Sequence, residues 1–138
     1  MPLQYYIGTS GWHYEHWRGR FYPEKLTEVR WLEFYASHFT IVELNNSFYR
    51  LPSAAAFTTW HDSSPADSIF AVKVSRFVTH IKRLENSEEA VEKFVGRAKV
   101  LGGKLGPLLY QLPPNMHRND ELLESFLTTL PQGMKHLR

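Results

Sequence analysis

FTIVELNNSFYRLP, residues 39–52, reads first as a strand and then as something else. Thr40 to Leu44 is a continuous β-branched and apolar run of strand length, the pattern of a strand covered on both faces in a parallel sheet. It carries a carboxylate, Glu43, within that run. It then delivers two amides, Asn45 and Asn46, a serine and the Phe48-Tyr49 pair before Pro52 stops it. A strand that served packing alone would need none of these groups, so chemistry is expected where this strand ends.

The same kind of run recurs on either side. YYIGT at 5–9 is broken by Gly8, IFAVKV occupies 69–74, and a last run goes from Pro107 to Leu112 and stops at Pro113-Pro114. Helical patterns fill the gaps. From Pro23 to about His38, the residues Leu26, Val29, Trp31, Leu32, Phe34 and Tyr35 recur mainly at three- and four-residue steps. Ser53 is placed to cap a second helix that closes before Pro65. Asn86-Ser87-Glu88-Glu89 starts a third, whose stripe Val91, Phe94, Val95, Ala98 and Leu101 ends at Gly102-Gly103, and Asn119 or Asp120 caps a fourth.

The order is therefore β-α-β-α-β-α-β-α, which predicts an α/β fold with a parallel sheet wound by right-handed crossovers. An open doubly wound sheet would be complete near the chain's 138 residues. A (β/α)8 barrel needs roughly 250 residues, and this chain would then be its N-terminal half. Met134 to Arg138 fall where a further strand should begin. The expectation is a single partial domain over 1–138, truncated after about four β/α units.

Composition narrows the functional classes. The net charge is only +2, with 22% charged residues, which gives no global electrostatic case for coating nucleic acid or an anionic membrane. Cysteine is absent, removing disulfides, thiolate metal sites and cysteine nucleophiles. No apolar run approaches membrane-spanning length, and Met1-Pro2-Leu3-Gln4 does not open a signal peptide, so a cytoplasmic location is expected. Seven histidines invite a metal test, but His13 and His16 are three apart and the rest are scattered, with no HExxH. No metal site is expected. GxGxxG, P-loop and GxSxG motifs are missing too, and the residues identify no cofactor.

Strand phase gathers the candidates. Side chains alternate across a strand, so Ile41, Glu43 and Asn45 share a face, as do Ala71, Lys73 and Ser75, and Leu109 and Gln111. If that face looks into a barrel, a carboxylate, an ammonium and amides converge on one mouth. Burying either charge alone would cost several kcal/mol, which Glu43 and Lys73 within reach of each other would offset. A purely structural ion pair closing the core is the competing reading. His80, in RFVTHIKRL, follows the third strand closely enough to approach the same mouth.

After the first strand, TSGWHYEHWRGRFYP (9–23) is dense in rings and bases. Ser10 and Gly11 offer backbone N–H groups. Trp12, Tyr14 and Trp17 offer faces for a sugar or base, and Arg18 or Arg20 a partner for phosphate. Alternatively the rings plug the space under a long loop.

IGTSGWHYEHWRGRFYP, FTIVELNNSFYRLP, FAVKVSRFVTHIKRL and GPLLYQLPP together resemble the YecE-like family, a domain of unknown function in bacteria and archaea. The resemblance touches nearly every strand end from residue 7 to 114. It implies a TIM-like (β/α)8 barrel and names no reaction. It places family strand-end motifs on Gly11, Trp12 and Trp17; on Glu43, Asn45, Phe48 and Tyr49; on Lys73, Thr79 and His80; and on Gln111 and Pro113. Family members continue with a Glu-Phe-Arg-His motif that this chain stops short of.

Three functions compete. The first is an enzyme acting on a polar sugar-like or phosphorylated small molecule, with Glu43 as acid or base, Lys73 as electrostatic stabiliser, His80 beside them, and Asn45 and Gln111 as orienters. The second is a nucleic-acid-interacting protein, with Arg18, Arg20, Arg50 and Arg76 on phosphates and Trp12, Trp17 and Tyr49 on bases. The third is an inactive fragment. Beyond a small-molecule ligand and, less strongly, nucleic acid, the partner expected is a second copy of the chain, through unpaired sheet edges.

Overall fold

Val42 and Leu44 point to one side of their strand and Ile41 and Glu43 to the other, and this period of two organises the whole molecule. The computed structural model describes residues 2–134 and the backbone of 136 and 137. Five strands, β1 (Gly8–Ser10), β2 (Ile41–Leu44), β3 (Ile69–Lys73), β4 (Leu105–Leu109) and β5 (His136–Leu137), form one sheet in sequence order. Every neighbouring pair is parallel. The outer face carries Val42, Leu44, Phe70, Val72 and Leu108, all buried against helices. The inner face carries Ile41, Glu43, Ala71, Lys73 and Leu109, all half-buried.

The helices are α1 (Trp31–His38), α2 (Asn46–Tyr49), α3 (Ala54–Asp62), α4 (Glu88–Ala98) and α5 (Asp120–Thr128). Two of the expected caps form: Ser53 Oγ accepts from Ala56 N at 3.1 Å and Asn119 Oδ1 from Leu122 N at 3.0 Å. The Val91, Phe94, Val95 and Ala98 stripe of α4 is buried as its spacing predicts.

Two boundaries in particular differ from the expectation. The first helix starts at Trp31 instead of Pro23, because side chains five to eight positions away satisfy carbonyls that precede it. Arg18 Nη1 donates to the Glu24 and Leu26 carbonyls, both at 3.1 Å, and Trp31 Nε1 donates to Leu26 at 3.2 Å. The fourth strand spans 105–109 instead of 107–112. Its register against β3 jumps between Phe70–Leu105 and Val72–Leu108, a bulge of the kind that Pro107, lacking an N–H, requires inside a sheet. The segment after β3 closes as a π-turn, Phe77–Ile81, in which Lys82 N donates to the Phe77 carbonyl at 2.8 Å.

One helix side chain is spliced into the sheet. The Tyr35 hydroxyl accepts from Thr9 N at 2.8 Å and donates to the Ile41 carbonyl at 3.0 Å, so α1 fixes the spacing of β1 and β2. At the neighbouring Gly8, a Cβ would fall 2.0 Å from that same Ile41 oxygen, a clash no backbone tolerates.

Candidate functional site

The mouth at the C-terminal ends of the strands is built first by the turn after β2. Ser47, fully buried, donates its hydroxyl to the Lys73 carbonyl at 2.6 Å, with the Leu44 carbonyl also 2.9 Å away. That bond folds α2 back over β3 and seats Phe48 beside Lys73. The Lys73 ammonium lies 4.4 Å from the Phe48 ring centroid, a cation–π contact. The His80 ring meets the same Phe48 edge-on, centroids 5.0 Å apart, and its Nδ1 lies 2.8 Å from the Thr79 hydroxyl.

Glu43 occupies the same face but makes a different contact. Its Oε1 accepts a long hydrogen bond, 3.4 Å, from Ser10 Oγ. The expected Glu43–Lys73 ion pair is not formed. In register, Glu43 faces Ala71, while Lys73 sits two residues further along β3 opposite Leu109. Both heads are partly in solvent, so water compensates what a fully buried pair would have had to.

Above β1 and β2 lies a cleft of about 370 Å³ lined by Gly11, Trp12, His13, Tyr14, Asn45, Asn46, Tyr49 and Trp60. Five of the sequence-predicted residues meet there: Gly11, Trp12, Tyr14, Asn45 and Tyr49. The floor is set by Gly11, whose N–H donates to the Glu43 carbonyl at 2.8 Å. Its φ of 81° is the left-handed region, and a Cβ there would lie 2.8 Å from the Tyr14 hydroxyl, which itself donates to the Ser10 carbonyl. Trp12 stands edge-on to Trp60 at 5.6 Å, and the buried Tyr22 hydroxyl donates to the Trp12 carbonyl. Burial pushes the Tyr22 phenol up, keeping it a donor. Tyr49 is 66% exposed, a ring held at the rim.

Two predicted residues lie elsewhere. Trp17 belongs to an aromatic plug with Tyr14, Phe21 and Tyr22, continued by the Tyr22–Trp31 stack at 4.7 Å. Gln111 follows the end of β4 as exposed coil, displaced by the earlier start of that strand. Trp60 and Ser47 were missed by sequence reasoning. Trp60 lies on α3 and its cleft partner Trp12 is 48 positions away in the sequence.

His80 is the titratable group of this mouth with a shifted pKa. Burial lowers it first, and the charges of Arg76, Lys73 and Arg83 lower it further. Among the described residues no three His, Asp or Glu side chains gather as a metal set would.

Residues 6–137 match the model of the family described as protein of unknown function DUF72. The chain belongs to the DUF72 family. It is similar to UPF0759 protein YunF of Bacillus subtilis, 34% identical over 79% of this chain and 40% of that protein. It is also similar to UPF0759 protein YecE of Escherichia coli K12, 29% identical over 91% and 44%. The chain thus spans less than half the length of these DUF72 relatives. A DUF72 protein of Thermotoga maritima superposes with a TM-score of 0.80 at 32% identity, over 95% of this chain and 54% of that one. A second, from Enterococcus faecalis, matches the fold with a TM-score of 0.66 at 22% identity, over 87% and 43%. The fold is accordingly a partial TIM-like DUF72 barrel. No helix among the described residues is long and apolar enough to cross a membrane.

Proposed function

We propose that the strand-end mouth binds a small, polar, ring-bearing molecule of sugar-like character, with Glu43 positioned to move a proton on it. The observation that carries this reading is the cleft of about 370 Å³, which combines ring faces from Trp12, Tyr14, Tyr49 and Trp60 with the Asn45 and Asn46 amides. Apolar ring faces pack on the C–H faces of a sugar while amides satisfy its hydroxyls, and the volume suits one small ligand. Glu43 stands one strand position from this floor. Among the described residues its carboxylate is held only by the long Ser10 contact, which leaves lone pairs for a substrate proton.

The nucleic-acid reading is weakened by two of its own residues. Arg18 is spent on Glu15 at 2.7 Å and on backbone carbonyls, and Trp17 on the plug, so neither is presented to a strand of bases.

The test is a titration of neutral monosaccharides, glucose among them, followed by thermal unfolding. A saturable rise in Tm that disappears in Tyr49→Ala is the expected result. Tyr49 is exposed, so its loss spares the core. Equal shifts in both proteins, or none with any sugar, would refute the proposal. Glu43→Gln is expected to keep the binding, separating proton transfer from recognition.

A further inference from the structure

Beside the neutral cleft, the β3 side of the same mouth has a different electrical character. Lys73 closes β3, Arg76 follows three residues later, and Arg83 comes just after the π-turn that carries His80. Among the described residues none of the three cations has a carboxylate within 4 Å. The Lys73 ammonium rests on the Phe48 ring, which orients it without neutralising it. Arg83 donates to the Asn115 side-chain and backbone oxygens, both at a long 3.4 Å. Arg76 is exposed. Glu43, which shares the inner strand face with Lys73, is tied to Ser10 on β1.

Lys73, Arg76 and Arg83 all lie near enough to His80 to act on it, and like charges near one another without a counter-charge repel, which a bound anion relieves. His80 sits among them, its ring braced against Phe48 and its Nδ1 at the Thr79 hydroxyl. That leaves Nε2 as its second polar group. Burial first, and then the charges of Arg76, Lys73 and Arg83, lower the His80 pKa, and an arriving anion would oppose this and draw a proton onto the ring.

We infer that the ligand of this mouth carries a phosphate group, held by Lys73, Arg76 and Arg83 with His80 as a further donor, while its neutral ring lies in the adjoining aromatic cleft. The inference rests on the sugar-binding reading of that cleft and assigns the substrate class as a sugar phosphate. Phosphate matches the site better than a carboxylate because it offers three oxygens and close to two charges near neutral pH, enough for several cations at once.

The experiment titrates the full chain with inorganic phosphate, glucose and glucose 6-phosphate at low ionic strength, by calorimetry and by the His80 Cε1 proton resonance. Glucose 6-phosphate is expected to bind at least tenfold more tightly than glucose, with affinity falling as sodium chloride is added. Arg76→Gln is expected to remove most of that advantage while leaving glucose binding unchanged, Lys73→Gln is expected to remove most of it as well, and phosphate is expected to raise the His80 midpoint. Arg76 is at the surface, so its replacement keeps the test valid if Lys73→Gln does not fold. Glucose binding without a phosphate advantage, or an advantage that survives Arg76→Gln, overturns the phosphate inference and leaves the cleft reading intact. Phosphate binding without glucose binding keeps the anion site and refutes the cleft. Absence of both refutes both.

Discussion

His80 shows how one residue reports on its surroundings. Burial, then Arg76, Lys73 and Arg83, holds its pKa below the ordinary 6.5 in the folded protein. The unfolded chain therefore binds the proton at a higher pH than the folded one does. Between those two values the unfolded state carries more protons, so stability rises with pH across that window. The contribution is complete above about pH 6.5 and is lost as pH falls through the folded-state value. His80→Gln is expected to flatten this part of the stability profile, measured by urea unfolding from pH 5 to 7.5. An unliganded His80 midpoint at or above 6.5 by proton resonance would contradict it. The sequence shows His80 close behind β3, and phase alone put Glu43 and Lys73 on one face, because alternation is local. Their failure to pair was not legible, since it depends on which residue of the neighbouring strand stands opposite each.

Among the elements, α3 depends on a cation from outside itself. Lys104, buried between α4 and β4, donates its ammonium to the His61 carbonyl, to the Ser64 carbonyl at 2.7 Å and to Ser64 Oγ at 3.2 Å. These oxygens lie at and just past the C-terminal end of α3, where the helix dipole is negative and carbonyls lack intrahelical partners. Lys104→Met keeps the aliphatic stem and removes the donors. It is expected to cost about 1.5–3 kcal/mol, the range for hydrogen bonds to a charged group, with α3 amides exchanging faster than those of α4. Unchanged stability would mean that water takes the place of the ammonium. Strand and helix periodicity made the order of the elements readable, and the caps at Ser53 and Asn119 were readable because each bond closes within three residues. The true start of α1 was not. It is decided by Arg18 reaching carbonyls six and eight positions away, a contact with no trace in local pattern.

At the scale of the molecule, the outer edge of β1 has no partner strand among the described residues. Leu3, Tyr5 and Ile7 are 75–80% exposed along the run leading into that edge. Unpaired backbone beside apolar side chains is a template for another strand. Sedimentation velocity is expected to show concentration-dependent association, reduced in Ile7→Lys; a constant monomer across the concentration range would contradict it. The chain matches 40% and 44% of the two curated relatives. Among the described residues each strand pairs only with its neighbours in sequence order. A polypeptide leaving the ribosome can therefore dock every crossover onto sheet already made, and the ends of β1 to β3, which carry the mouth, take shape while later residues are still being added.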